Sequence, residues 1–316
     1  MGKTDVFESD YLENAEIFAD LVNGVLYEGR QVVKPEELSE QDGELRSIAG
    51  DDVRKTIRDK VRLWKGTLLA VFAVENQTKV DYHMVIRAML SESMAYDKQW
   101  KKLKNALASE KEGLTSEELL SGMRKEDRFI PVITIIIYYG REKSWDGAKT
   151  LYELLDVKER GEEILPFISD YRLNIFDYHD YEEFKQFHTE WQYLFEFLRY
   201  ADDKKRLREK LTEHKKQYGK LSNQAKVLLM RLANIKKIPD IKGEDFARGE
   251  FDMCKAFEDM RAEGKAEGII EMGREFGLSC DEVIKSIQNK LGISMEEAKE
   301  YYNSFLTLPD SDTPKG

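Results

Sequence analysis

Cysteine is nearly absent from this chain, long apolar runs are missing, and positive charge is in deficit; each shortage removes a class of protein. The two cysteines, Cys254 and Cys280, form no C-x-x-C pair. Neither a disulfide framework nor a zinc site is expected, and both read as free thiols. No window approaches the roughly 18 consecutive apolar residues of a membrane span, and the start MGKTDVFESD lacks the apolar core of an export signal. A cytoplasmic protein with no membrane partner is the expectation. The net charge of −11 argues against a protein that coats nucleic acid, because affinity for a polyanion comes from neutralising phosphates with Lys and Arg. What is present is 316 residues with 41% hydrophobic content, enough for one large domain or for a core with a helical annex.

The densest chemistry lies in RDKVRLWKGTLLAVFAVENQ, residues 58 to 77. Arg58 to Trp64 alternates in the period of a half-buried strand, and Leu68 to Val74 is continuously apolar, as a fully buried strand is. A hairpin folded at Lys65-Gly66 is expected to set Asp59, early in the first strand, opposite Glu75 at the end of the second. Gln77, two residues on, shares the face of Glu75. Two carboxylates and an amide on one patch supply the hard oxygen ligands that a Mg²⁺ site for phosphodiester chemistry requires. Read without that partner, Glu75 is an acid marking where an apolar strand reaches water.

Four further blocks extend the pattern: NAEIFADLVNGVLYEGRQVVKPEEL at 14 to 38, ENQTKVDYHMVIRAMLSESMAY at 75 to 96, IPVITIIIYYGREKSWDGAKTLYELL at 130 to 155 and MCKAFEDMRAEGKAEGI at 253 to 269. With D…E-x-Q they make the chain resemble the PD-(D/E)xK nuclease superfamily. The likeness is greater to its recombination-promoting nuclease (Rpn) branch, also described as transposase-like, in which Gln commonly replaces the final Lys. That resemblance implies an α/β fold with a restriction-endonuclease-like core, a mixed central sheet flanked by helices in αβββαβ order. It implies a metal-dependent DNA endonuclease linked to recombination or mobile elements, using Mg²⁺ or, in its place, Mn²⁺, with DNA as a transient partner. Asp59, Glu75 and the backbone carbonyl of Asn76 would hold the metal, and Gln77 would orient the attacking water. Asp20, in the F-A-D-L-x-N block, is a further metal candidate. Because Gln carries no charge and moves no proton as Lys does, Lys79 or Arg58 is expected to assist.

The rest of the chain reads as a frame for this motif. Residues 11 to 27 form a helix with Ile17, Phe18, Leu21, Val22 and Val25 on one stripe. Glu13, Glu16, Asp20 and Asn23 lie on its polar face, where a solvated surface is the plainer reading for the two glutamates. Residues 34 to 57 are loop-like, and Asp51-Asp52 read as a turn or cap. A helix from Val80 to Trp100 carries His83, Arg87 and Ser91 at successive i+4 steps. With Lys79, His83 and Arg87 are candidates to hold the scissile phosphate, against the alternative that Arg87 pairs with a nearby carboxylate. After a charged insertion at 101 to 128, Ile130 to Tyr139 is expected to be the parallel neighbour of the motif strand, reached by a crossover. A short strand within 165 to 178 and a helix over 181 to 200 follow, and the basic segment 201 to 220 reads as a solvated helix.

Residues 1 to 240 are assigned to the nuclease-like domain, 241 to 308 to a helical annex and 309 to 316 to a disordered tail. In the annex the A-E-G repeat at 262 to 268 lets another helix approach closely, which points to a homodimer, and Ser279 and Ser294 read as helix caps. A second reading stays open: a catalytically weak or inactive nuclease fold that serves as an interaction scaffold through its acidic surface and terminal helices.

Overall fold

The computed structural model describes residues 11–40, 59–74, 80–109, 113–233, 235 and 253–306. They divide into two compact units, one drawn from 1–212 and 224–234 and the other from 213–223 and 235–316.

The first unit is mixed α/β. Helix α1, Ala15–Leu26, starts at Asn14, whose side chain accepts from the Glu16 and Ile17 amides. It buries Ile17, Phe18, Leu21 and Val22 as the stripe predicts, and Glu13 and Glu16 are exposed. Asp20 and Asn23, grouped with them on the polar face, are instead buried. Asn23 explains its own burial: its amide donates to the Val33 carbonyl at 2.8 Å, and its Oδ1 accepts from the Val32 and Val33 amides. An internal side chain thereby replaces water for the strand-like segment that follows the helix.

Five strands form one sheet in sequence order: β1 Leu38–Glu40, β2 Asp59–Trp64, β3 Thr67–Val74, β4 Val132–Tyr138 and β5 Asn174–Asp177. The first three are antiparallel neighbours, while β3 pairs with β4 and β4 with β5 in parallel. The β2–β3 turn is Lys65-Gly66, with φ of +44° and +76°. That is the pair of positive φ values a two-residue type I′ hairpin demands, and glycine supplies one at no steric cost. Helix α2, Met84–Ser109, carries the chain from β3 to β4, so the expected crossover and parallel neighbour are present. The helix runs nine residues beyond Trp100, and Ser116–Ser121 forms a short helix behind a Thr115–Glu118 capping box. Val80, Met84, Val85 and Ala88 pack with Ile136, Tyr138 and Trp145 on one face of the sheet.

Helix α3, Trp191–Tyr200, begins later than the periodicity of 181–200 suggests. Phe184 and Phe187 are buried, but the backbone before Trp191 is not helical, and side chains of α3 take its carbonyls: Arg199 Nε donates to Tyr181 and Tyr200 Oη to Glu182, both at 3.0 Å. Phe176, Phe187, Trp191 and Phe195 form an aromatic cluster with ring centroids 4.6 to 5.2 Å apart. Trp191 Nε1 donates to the Ile17 carbonyl at 3.1 Å, tying α3 to α1. Helices α4, Lys204–Glu213, and α5, Asn223–Leu232, follow.

The second unit gathers α6, Met253–Glu275, α7, Cys280–Leu291, and α8, Met295–Leu306. Both expected serine caps are present: Ser279 pairs reciprocally with Glu282, and Ser294 with Glu297. Ala266 of the A-E-G repeat is buried in the unit's own core with Ile269, Ile270, Val283, Ile284, Ile287 and Ala298. A Cβ at Gly273 would collide with Val283, so glycine there permits α6 and α7 to touch. Cys280 is a free, exposed thiol that accepts from Tyr302 Oη at 3.0 Å. Among the described residues no helix is long and apolar enough to cross a membrane.

Candidate active site

Asp59 opens β2 and pairs with Phe72, because the tight turn fixes every partner from Trp64–Thr67 outward. The expected alignment with Glu75 is corrected by three residues: two residues suffice for the turn, and the strands close without slack. The Asp59–Phe72 row continues to Ile136 on β4 and Ile175 on β5, and the next row on that face joins Val74, Tyr138 and Asp177. Glu75, Asn76, Gln77 and Lys79 lie outside the described residues, between the end of β3 and Val80, as does Arg58 before β2. The motif therefore follows directly on the C-terminal end of a strand in the parallel half of the sheet, the location where open α/β sheets place their ligands.

Asp20 serves the frame. Its carboxylate is buried and takes the His188 amide at 2.9 and 3.0 Å, the Thr189 amide at 2.9 Å and the Thr189 hydroxyl at 2.6 Å. These donors stand immediately before α3, so Asp20 supplies the acceptor which the start of that helix needs and couples it to α1. With its oxygens so engaged, Asp20 is left out of the cation-holding set below.

Beyond the motif, Asp81 organises the entry to α2. Its Oδ1 accepts from the His83 amide at 2.9 Å, its carbonyl accepts from the Met84 amide at 3.1 Å, and its other carboxylate oxygen meets the Arg87 guanidinium. Arg87 is thus paired with a neighbouring carboxylate, the alternative weighed from sequence. His83 is exposed on the first turn. Nearby, Lys143 Nζ lies 2.5 Å from Asp146 Oδ2, and Tyr82 Oη donates to Asp146 Oδ1 at 3.3 Å. The Asp146 hydrogen bond holds the Lys143 ammonium above its usual range, and Lys143 holds the Asp146 carboxyl below its own.

One pair was not identified from sequence. Asp177, the last residue of β5, has a side chain only 1% exposed. Its Oδ2 accepts from the Trp145 amide at 2.6 Å; its Oδ1 accepts from the His179 amide at 2.9 Å and lies 2.7 Å from His179 Nδ1. Burial pushes the Asp177 carboxyl up, but the His179 ring and the two amides outweigh it and hold it below the usual range. The signal was legible as Asp-x-His after the apolar stretch Asn174-Ile175-Phe176. It was obscured by the aromatic residues around it, which read as packing.

Among the described residues no three His, Cys, Asp or Glu side chains are gathered as a metal ion would require. Comparison of the chain with protein-family models, with curated proteins and with solved structures finds no match.

Proposed function

We propose that the first unit is a metal-dependent DNA endonuclease of the restriction-endonuclease-like class, with Asp59, Glu75 and Gln77 as its catalytic set. The observation that carries this reading is the order of elements: α1, three antiparallel neighbours, the α2 crossover and the parallel β4 succeed one another as αβββαβ. Asp59 opens the second strand, and Glu75-Asn76-Gln77 follows the third. Two carboxylates and the Asn76 carbonyl are a donor set suited to a hard divalent cation such as Mg²⁺ or Mn²⁺. When bound, such an ion lowers the pKa of water and offsets charge on the phosphate. Glu75 and Asp59 would fix its position, and Gln77 would orient water through its amide.

The register adds a requirement. Asp59 is level with Phe72, and an offset of three along a regular pleat changes face. Glu75 joins Asp59 only where the pleat is interrupted after Val74, as a bulge next to an active site does.

The scaffold reading draws on the pairing of Arg87 with Asp81 and on the net charge of −11, both of which reduce the basic surface open to a phosphate. A plasmid-nicking assay in Mg²⁺, Mn²⁺ and EDTA separates the two. The expected result is cleavage with either metal, none in EDTA, and a loss in Glu75→Ala beyond the roughly 10–100-fold typical of an outer partner of a metal site. Wild-type protein that leaves the plasmid intact in both metals favours the scaffold.

A further inference from the structure

We infer that Asp177 and His179 form the proton-accepting half of the same site, supplying the base that Gln77 cannot be; this rests on the nuclease reading above. Three features of the fold carry it.

The first is position. Val74, Tyr138 and Asp177 occupy one row across adjacent parallel strands. Two strand spacings, about 9.6 Å, therefore separate the residue before Glu75 from Asp177. Both chain segments leave the sheet at the same end, and Trp145 bridges them. Its amide donates to Asp177, and its ring packs edge-on against Tyr138 in the core cluster that also holds Val80, the residue that ends the motif segment.

The second is the state of the ring. An ionised carboxylate only accepts, so the 2.7 Å contact between Asp177 Oδ1 and His179 Nδ1 puts the proton on Nδ1. In the neutral imidazole Nε2 then bears the lone pair, the arrangement in which a carboxylate orients a histidine for proton transfer. Stacking on Tyr178 at 4.1 Å fixes the ring plane. No partner of Nε2 is found among the described residues. The other polar neighbours are the Tyr138 ring, whose hydroxyl is committed to the Lys143 carbonyl, the Tyr178 hydroxyl, committed to the Gly140 carbonyl, and Asp180, which faces Lys149 at 3.7 Å.

The third is an orphan donor. Trp145 is 7% exposed, and its indole N–H has no acceptor among the described residues. A phosphate oxygen beside the dyad would satisfy it.

In the step itself His179 Nε2 takes a proton from the attacking water as its oxygen bonds to phosphorus. The bond from phosphorus to the leaving sugar oxygen breaks, that oxygen takes a proton from solvent, and the imidazolium returns its own proton to solvent. One phosphodiester and one water become a phosphomonoester and an alcohol.

The test compares the wild-type protein with His179→Gln and Asp177→Asn over pH 5 to 8 on supercoiled plasmid, with Mn²⁺ binding and circular dichroism measured on each. The expected result is a wild-type rate that rises with pH, and a His179→Gln rate lower by about 100-fold or more and flat with pH. His179→Ala should recover activity in added imidazole, while Mn²⁺ affinity stays within about twofold of wild type. Nitrogen-15 spectra of the wild-type ring should show the Nδ1–H tautomer. A His179→Gln protein with the wild-type rate and pH profile, or an Nε2–H tautomer, overturns the dyad and leaves the nuclease reading standing. Absence of cleavage by the wild-type protein overturns both.

Discussion

Asp20 and Asp177 show how one residue type serves two purposes according to what donates to it. Both are buried and acceptor-only. Asp20 receives two amides and a hydroxyl from residues 188 and 189, and all its capacity goes to closing one helix on another. Asp177 receives two amides and a ring nitrogen, and so determines the state of a side chain that still has a nitrogen to offer. Asp20→Ala should destabilise the protein by about 1–3 kcal/mol, the usual cost of leaving buried donors unmet. Urea unfolding with and without Mg²⁺ is the check: an anchoring role gives the same loss in both, whereas a metal ligand gives a larger loss when Mg²⁺ is present. The sequence pattern singled out Asp20, but its partners stand 168 positions away. No local spacing reveals a contact of that range.

At the scale of elements, the hairpin was legible because its signals are local: alternation, an apolar run and a Lys-Gly pair between them. So were the crossover helix, the parallel strand after it and the serine caps of α7 and α8. The register at the far end of the hairpin was not, since it depends on the turn consuming two residues and no more. The start of α3 was misread for a different reason. Phe184 and Phe187 have helix-compatible spacing, yet the carbonyls of Tyr181 and Glu182 are taken by Arg199 and Tyr200. The packing of α1 against the aromatic cluster can be tested at Gly24, where an added Cβ would run into the Phe187 ring. Alanine normally favours a helix over glycine by about 1 kcal/mol. Gly24→Ala should nevertheless lower stability, by about 1–3 kcal/mol, because overpacking outweighs propensity. A rise in the thermal midpoint would show that the ring has room to move.

For the whole molecule, a duplex break made by a site that cuts one strand calls for two sites, and a second copy of the chain supplies them. The A-E-G repeat is partly spent within its own unit, where Ala266 is buried. Met272, Phe276 and Leu278 are the exposed apolar side chains close to it, Phe276 at 75% exposure. If this end of the unit joins two copies, Phe276→Ser should convert a dimer to a monomer in sedimentation at micromolar concentration without changing helix content. An unchanged sedimentation coefficient removes this surface from consideration. The boundary between the units bears on a different matter, the order in which the protein is made. Residues 213–223 belong with 235–316, whereas 224–234 belong with the unit that precedes them. The chain thus changes unit three times within 23 residues, and a ribosome delivers part of the second unit before the last piece of the first. The nuclease-like body cannot finish folding as an early product of translation. It waits for residue 234, and the short segment 213–223, already released, waits longer still for the helices that will cover it.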